Sequence, residues 1–302
     1  MPPHLAGHLA MLGFSAAVAG SFALGSRAAN FIDPSVMTAA RFWIAALVLL
    51  ALSSVSGQAR RSAARAPWRY FVLAALMSFY FVTMFEGLKT ATPVSTAAVF
   101  TLTPILSAAF GWMLMRQRFS ARMGLALALG GIGALWVIFR ADWAAFAAFD
   151  VGRGEAIFFA GCVAHAVYTP LVARFKRGEG VFAFAFGTVL AGAILLTIWA
   201  APAIMATPWG ELPAIVWITL AYISLFASAA SFALLQFAAT RLPSAKVMAY
   251  TYLTPTWVIG WELALGAGGP RPLILVGIGL IVCALVLLLR DEHGPARAVS
   301  PA

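Results

Sequence analysis

The side chains with chemistry to offer are few, and they sit inside long apolar runs. Lys246, Tyr250 and Trp257 stand at i, i+4 and i+11, one stripe of an α-helix. A cation, a phenol and an indole on one face suit an amphiphilic ligand with a carboxylate or phosphate. Lys246 follows Pro243 by three residues, close to a helix N-terminus that already attracts anions. The competing reading is a lysine that snorkels to a membrane surface. His165 is read as the only histidine within an apolar run, with Tyr168 at i+3; His4, His8 and His293 are read as tail residues. An ionisable group in such a run is a functional candidate by default, fit to hydrogen-bond a substrate or carry a proton. Its bland counterpart is a satisfied packing histidine. Tyr80, with Met77 and Met84 on its face, reads as an adaptable apolar wall or as plain core. Trp43, Phe100, Thr101 and Gln236 are weaker candidates of the same sort. Arg41 reads as a gate that pairs with Asp33 or Glu86, or as a cation that snorkels outward.

Other chemistries find no support. There is no GxxxxGK[ST] phosphate loop, no His-Glu-x-x-His and no nucleophile elbow, so neither ATP hydrolysis nor an intramembrane enzyme is expected. Cys162 and Cys283 sit in separate runs, with neither a disulfide framework nor a zinc-ligand spacing. No cofactor, metal or ATPase subunit is implied. Glu86 and Glu262 lie near the ends of runs, and no carboxylate sits mid-run. Cation-coupled carriers show such relays, so a facilitative carrier is expected, with His165 its one obvious proton site.

The positioning elements follow from composition. The 302 residues are 63% hydrophobic and 10% charged, against about 25% charged in an ordinary soluble domain. Mean hydropathy is +0.93. Ten runs have the length of a membrane-spanning helix, near 9–29, 35–56, 69–88, 93–115, 121–139, 154–173, 181–200, 211–239, 243–265 and 272–290. Basic residues cluster on alternate connections. Arg60, Arg61, Arg65, Arg69, Arg116, Arg118, Arg122, Arg174, Lys176, Arg177, Arg241, Arg290 and Arg297 fall on one side. Asp33, Glu86, Asp142, Asp150, Glu155 and Glu211 fall on the other, with fewer cations. The bias puts both termini in the cytoplasm. It also accounts for the net charge of +10 through topology and lipid contact, without nucleic acid.

The chain repeats itself. FTLTP ends at Pro104 and TYLTP at Pro255; Pro93 falls beside Pro243; LGGIGALWVI resembles LVGIGLIVCAL. Each half, 1–150 and 151–302, holds five runs. An odd number turns the second half over, which makes an inverted-topology repeat suited to alternating access around a midplane site. Pro104 and Pro255 cannot bond the carbonyls of Phe100 and Thr251, so both helices should kink there and serve as paired hinges. Ser224, Ser228 and Ser231, like the glycines of the fifth and tenth runs, read as close helix contacts without chemistry.

These features together resemble the drug/metabolite transporter superfamily, and within it the EamA-type exporters, over about residues 9–290. The aromatic text around Thr-Pro and the histidine of the sixth run resemble the aromatic amino-acid exporter (YddG) group. The chain departs from the family at the ends of the fourth and ninth runs. There Gln117 and Ala267 stand where a Gly-Glu turn is usual. The resemblance implies an all-α membrane protein, ten transmembrane helices as two five-helix inverted repeats around a central cavity lined by helices 1–4 and 6–9. It implies a bacterial inner-membrane exporter of small amphiphilic metabolites, amino acids first. The alternative is cation-coupled export of cationic drugs, which the fixed charge of Lys246 would repel.

Overall fold

The computed structural model describes residues 3–57, 66–117, 120–147 and 151–289, with side chains from Leu5 onward. Arg60, Arg61, Arg65, Arg118, Asp150, Arg290, His293 and Arg297 lie outside the described residues, as does the His4 side chain.

All regular structure among the described residues is helical. α1 is Pro3–Ala28, α2 Pro34–Val55 and α3 Trp68–Gly87. α4 (Pro93–Phe100) and α5 (Thr103–Met115) form one broken rod, followed by α6 (Ala121–Ile138) and the short α7 (Trp143–Ala147). α8 is Arg153–Phe175, α9 Val181–Trp199 and α10 Ala201–Ala206. α11 (Ala214–Ser224) runs through a π-helical turn at Leu225–Ala230 into α12 (Ser231–Ala239). α13 (Ser244–Ala249), a 3₁₀ turn at Tyr250–Leu253 and α14 (Thr254–Ala264) make a second broken rod, and α15 (Ile274–Leu289) closes the bundle.

Eight helices among the described residues are long and apolar enough to cross a membrane. The run expected at 243–265 is the rod divided by the 3₁₀ turn. The run expected at 272–290 is α15, which has 16 residues. The outer surface is apolar, with Leu47, Trp112, Leu125, Ile198 and Trp199 exposed. A water-facing protein rarely shows so much contiguous apolar surface; a bilayer is its natural solvent.

Local signals start the helices. Asp33 accepts from the N–H groups of Ser35 and Val36, Thr92 from Ser95, and Ser120 from Met123. These are side-chain caps, the first two followed by proline at the first helical position. The helices then pack in pairs: α3 on α8, α11 and α12 on α1, α5 on α8, α14 on α1, α2 on α9, and α6 on α15.

Both Thr-Pro sites break their helices. α4 stops at Phe100, whose carbonyl Pro104 cannot bond. The Thr103 hydroxyl donates to that carbonyl instead, at 2.6 Å. In the second rod the N–H of Thr254 closes a 3₁₀ bond on the Thr251 carbonyl. The two breaks touch, with Thr103 Oγ1 3.3 Å from Thr251 Oγ1.

The α6–α15 pair shows why glycine recurs. A Cβ on Gly133 would stand 2.7 Å from the Gly277 carbonyl oxygen, and one on Gly277 would stand 2.8 Å from that of Gly133. Backbone cannot retreat as a side-chain tip can. Gly277→Ala should therefore lower stability by about 1–3 kcal/mol. Gly279→Ala meets nothing within 4 Å and should leave stability unchanged or raise it by up to about 1 kcal/mol. Thermal unfolding of the two variants in one detergent distinguishes them.

Candidate functional site

Four rods meet at mid-length around a small cavity. Its walls are Phe14 and Val18 of α1, Met77, Tyr80 and Phe81 of α3, His165 and Tyr168 of α8, and Ser231, Phe232 and Leu235 of α12. It has room for roughly one water. A metabolite fits only when the helices part.

Polar atoms on and next to this cavity lack partners. Tyr80 Oη and His165 Nδ1 are buried and have no hydrogen-bond partner among the described residues. Their rings lie 4.6 Å apart between centroids. Phe100 meets His165 edge-on at 5.3 Å. Gln236 donates to Tyr168 Oη at 3.1 Å and to Thr188 Oγ1 at 3.4 Å, while its Oε1 has no partner. Each such orphan costs about 1–3 kcal/mol against a satisfied one. A ligand with both donors and acceptors would satisfy them, and the rings would cover its apolar part.

The structure brings together Tyr80, His165, Tyr168, Phe100 and Gln236. It sets other expected residues elsewhere. Lys246 is buried in α13, at the end of the bundle that also holds Arg69. Tyr250 lies 3.1 Å through its hydroxyl from His8 Nδ1. His8 is therefore a residue of α1, not of a tail. Trp257 stays on the α1 side with Tyr250, away from the cavity: it is 41% exposed and donates to Ser15 Oγ at 3.3 Å, two turns of α1 beyond His8. Trp43 is 42% exposed and donates to Thr197 Oγ1 at 2.9 Å, bracing α2 on α9 away from the cavity.

The expected Arg41 pair with Asp33 or Glu86 is not formed. Asp33 accepts from its own helix start, and Glu86 pairs with Lys89 at 2.7 Å. Arg41 turns inward and donates through Nε to Ser228 Oγ and through Nη2 to the Ala227 carbonyl, both at 2.8 Å. Ser228 and Ser231 thus do more than permit close packing: one holds Arg41, the other lines the cavity.

Polar contacts close the bundle at both ends. At one end Arg69 Nη2 pairs with Glu179 at 2.7 Å, each side chain 1% exposed, and Arg69 Nη1 donates to the Phe175 carbonyl. Gln117 and Ser244 exchange two bonds of 3.2 Å beside them. At the other end Arg27 pairs with Glu262 at 2.7 Å, above a cluster that includes Ile32, Met37, Phe85 and Ile223. Arg69 reads in the sequence only as a topology cation, and Glu179 carries no motif. Burial against a partner 110 residues away has no local signal.

A family model described as the EamA-like transporter family matches residues 5–139 and again residues 152–290. The uncharacterized transporter YyaM of Bacillus subtilis (strain 168) is 25% identical over 287 residues, 94% of this chain and 93% of its own length. A solved protein crystal structure matches with a TM-score of 0.71 at 21% identity, covering 96% of this chain and 98% of the other. That likeness concerns the fold alone.

Burial raises the Glu179 carboxyl, but bonds from Arg69 and the Arg177 N–H outweigh it and hold the group below its ordinary value. The stabilisation from that group is complete above the unfolded value, near 4.3, and is lost as pH falls through the folded one. Acid unfolding of the wild type should carry this component and Glu179→Gln should lack it. At neutral pH that variant should lose about 3–5 kcal/mol, because it leaves Arg69 buried without its charge partner. Tyr80→Phe removes an unpartnered hydroxyl. Its melting temperature should hold or rise, where removal of a bonded core hydroxyl would lower it.

Proposed function

The chain belongs to the EamA-like transporter family and is a multi-pass membrane transporter; from that premise we propose that it exports small amphiphilic metabolites, amino acids including aromatic ones. The observation that carries this reading is the aromatic cavity with the unpartnered atoms of Tyr80 and His165 on its wall and of Gln236 behind Tyr168. An aromatic amino acid offers a ring for the walls and charged donors and acceptors for those atoms.

Transport proceeds by alternating access between two inverted five-helix repeats, residues 1–150 and 151–302, in a bacterial inner membrane with both termini cytoplasmic. The double family match supports the repeat. So does the packing, because an inverted two-fold exchanges the α3–α8 contact with that of α11 and α12 on α1. It likewise exchanges α5–α8 with α14–α1. The α2–α9 and α6–α15 contacts map onto themselves. A ten-span bundle results if α13–α14 and α15 cross the bilayer as well. Arg69–Glu179 then bars the cytoplasmic mouth and Arg27–Glu262 the outer one. Lys246 attracts the carboxylate at the cytoplasmic mouth. The helices flex at Pro104 and Pro255.

Efflux from proteoliposomes loaded with neutral, aromatic and cationic amino acids and a cationic dye, with no ion gradient, tests the reading. Amino-acid efflux is expected. Silence there, with dye movement under a proton gradient, would overturn it in favour of drug export. Lys246→Ala should raise the KM for carboxylate substrates about ten- to a hundredfold, the worth of one charge-assisted hydrogen bond. Pro104→Ala and Pro255→Ala should slow turnover more than they weaken binding. Full turnover in both would refute the hinges.

A further inference from the structure

Arg41 is fully buried, and among the described residues no carboxylate lies within ion-pair distance of it. It stands about 10 Å, some two turns, from the start of α2. A buried cation with no counter-charge is costly in a membrane protein and needs a reason. Neutral groups hold it. Ser228 Oγ takes Nε, and the Ala227 carbonyl takes Nη2. The π-helical turn at Leu225–Ala230 supplies that carbonyl. The N–H of Ser231 reaches back to Phe226 and Ser228, so the ordinary four-residue bond to Ala227 is not made. π-helical turns of this kind recur at functional sites.

Two features orient the rest of the guanidinium. Its Cζ lies 3.8 Å from the centroid of the Phe81 ring, and Phe81 is itself a wall of the central cavity. Its Nη1 is buried and has no partner among the described residues. One aromatic ring therefore stands between the cavity and a fixed positive charge with a free donor.

We propose that Arg41 is a binding site for a small monoanion, the carboxylate of the transported molecule, which Nη1 receives when Phe81 swings aside. The identity of that molecule rests on the export reading given above; the anion site rests on Arg41. A path with two cations results. Lys246 draws the carboxylate in at one end, and Arg41 receives it beyond the cavity. Ser228 and the Ala227 carbonyl keep the guanidinium from following its ligand out.

The test is binding without transport. Thermal unfolding of the purified full chain in detergent is followed with benzoate, with benzamide and with sodium chloride, in a Lys246→Ala background that removes the other cation. Benzoate should raise the melting temperature by a few degrees, and benzamide should not. Adding Arg41→Gln should weaken benzoate about ten- to a hundredfold, and Arg41→Lys should restore part of the loss. An unchanged benzoate response in Arg41→Gln would overturn the proposal. So would a response to chloride with none to benzoate, which would make the site one for an inorganic halide. If Arg41→Gln does not fold, Ser228→Ala keeps the charge and frees Nε. A severalfold weaker benzoate response then supports the site, and an unchanged one overturns it. Benzoate binding at Arg41 in a protein that effluxes no carboxylate would leave the anion site standing and sink the export reading.

Discussion

In the hydrocarbon of a bilayer, a backbone N–H or carbonyl can be satisfied only by the protein itself. Two helices here break that supply at their Thr-Pro sites, and the surrounding structure answers the deficit. Thr103 bends its hydroxyl back to the Phe100 carbonyl. The 3₁₀ turn before Pro255 shortens the loop of bonding so that the Thr251 carbonyl is reached by Thr254. Both repairs are local, so neither rod needs a neighbour to stay intact at its break. The breaks are then free to lie against one another, at the centre of the bundle, where a flexible joint is useful.

The same accounting explains the cavity. Several buried hydroxyls of the bundle are satisfied within their own helix, as for Thr188 on Phe184 and Ser224 on Leu220. Tyr80 and His165 on the cavity wall, and Gln236 beside Tyr168, each hold an unpaired atom. Rings pack closely enough to exclude all but about one water's worth of space. A core selected for stability alone would fill these positions with apolar side chains. Polar groups kept without partners in a closed space fit a site that opens.

Charge is distributed to the same plan. The ion pairs of Arg69–Glu179 and Arg27–Glu262 lie at opposite ends and join segments far apart in sequence. An ion pair between distant segments is strong when dry and weak when wetted. In the export reading proposed above, that property lets each pair seal one mouth and release in turn. Arg41 is the exception, a cation buried among hydroxyl, carbonyl and ring.

Composition and the order of apolar runs determined, without any structure, that this is a helical membrane protein with proline breaks in matching places. Those properties are local: run length and the missing N–H of Pro104 and Pro255 act within a turn or two of chain. The meeting of Tyr80 with His165 was half legible, since each is a polar group in an apolar run, but their 4.6 Å approach is not. Arg41 misled because its partner Ser228 lies 187 residues away, while Asp33 and Glu86 are near in the chain and already engaged. Which side chains share a site depends on where helices cross, and crossing is set by close approaches such as Gly133 on Gly277. A residue's own neighbours in sequence carry no record of them, so tertiary structure alone decided the site.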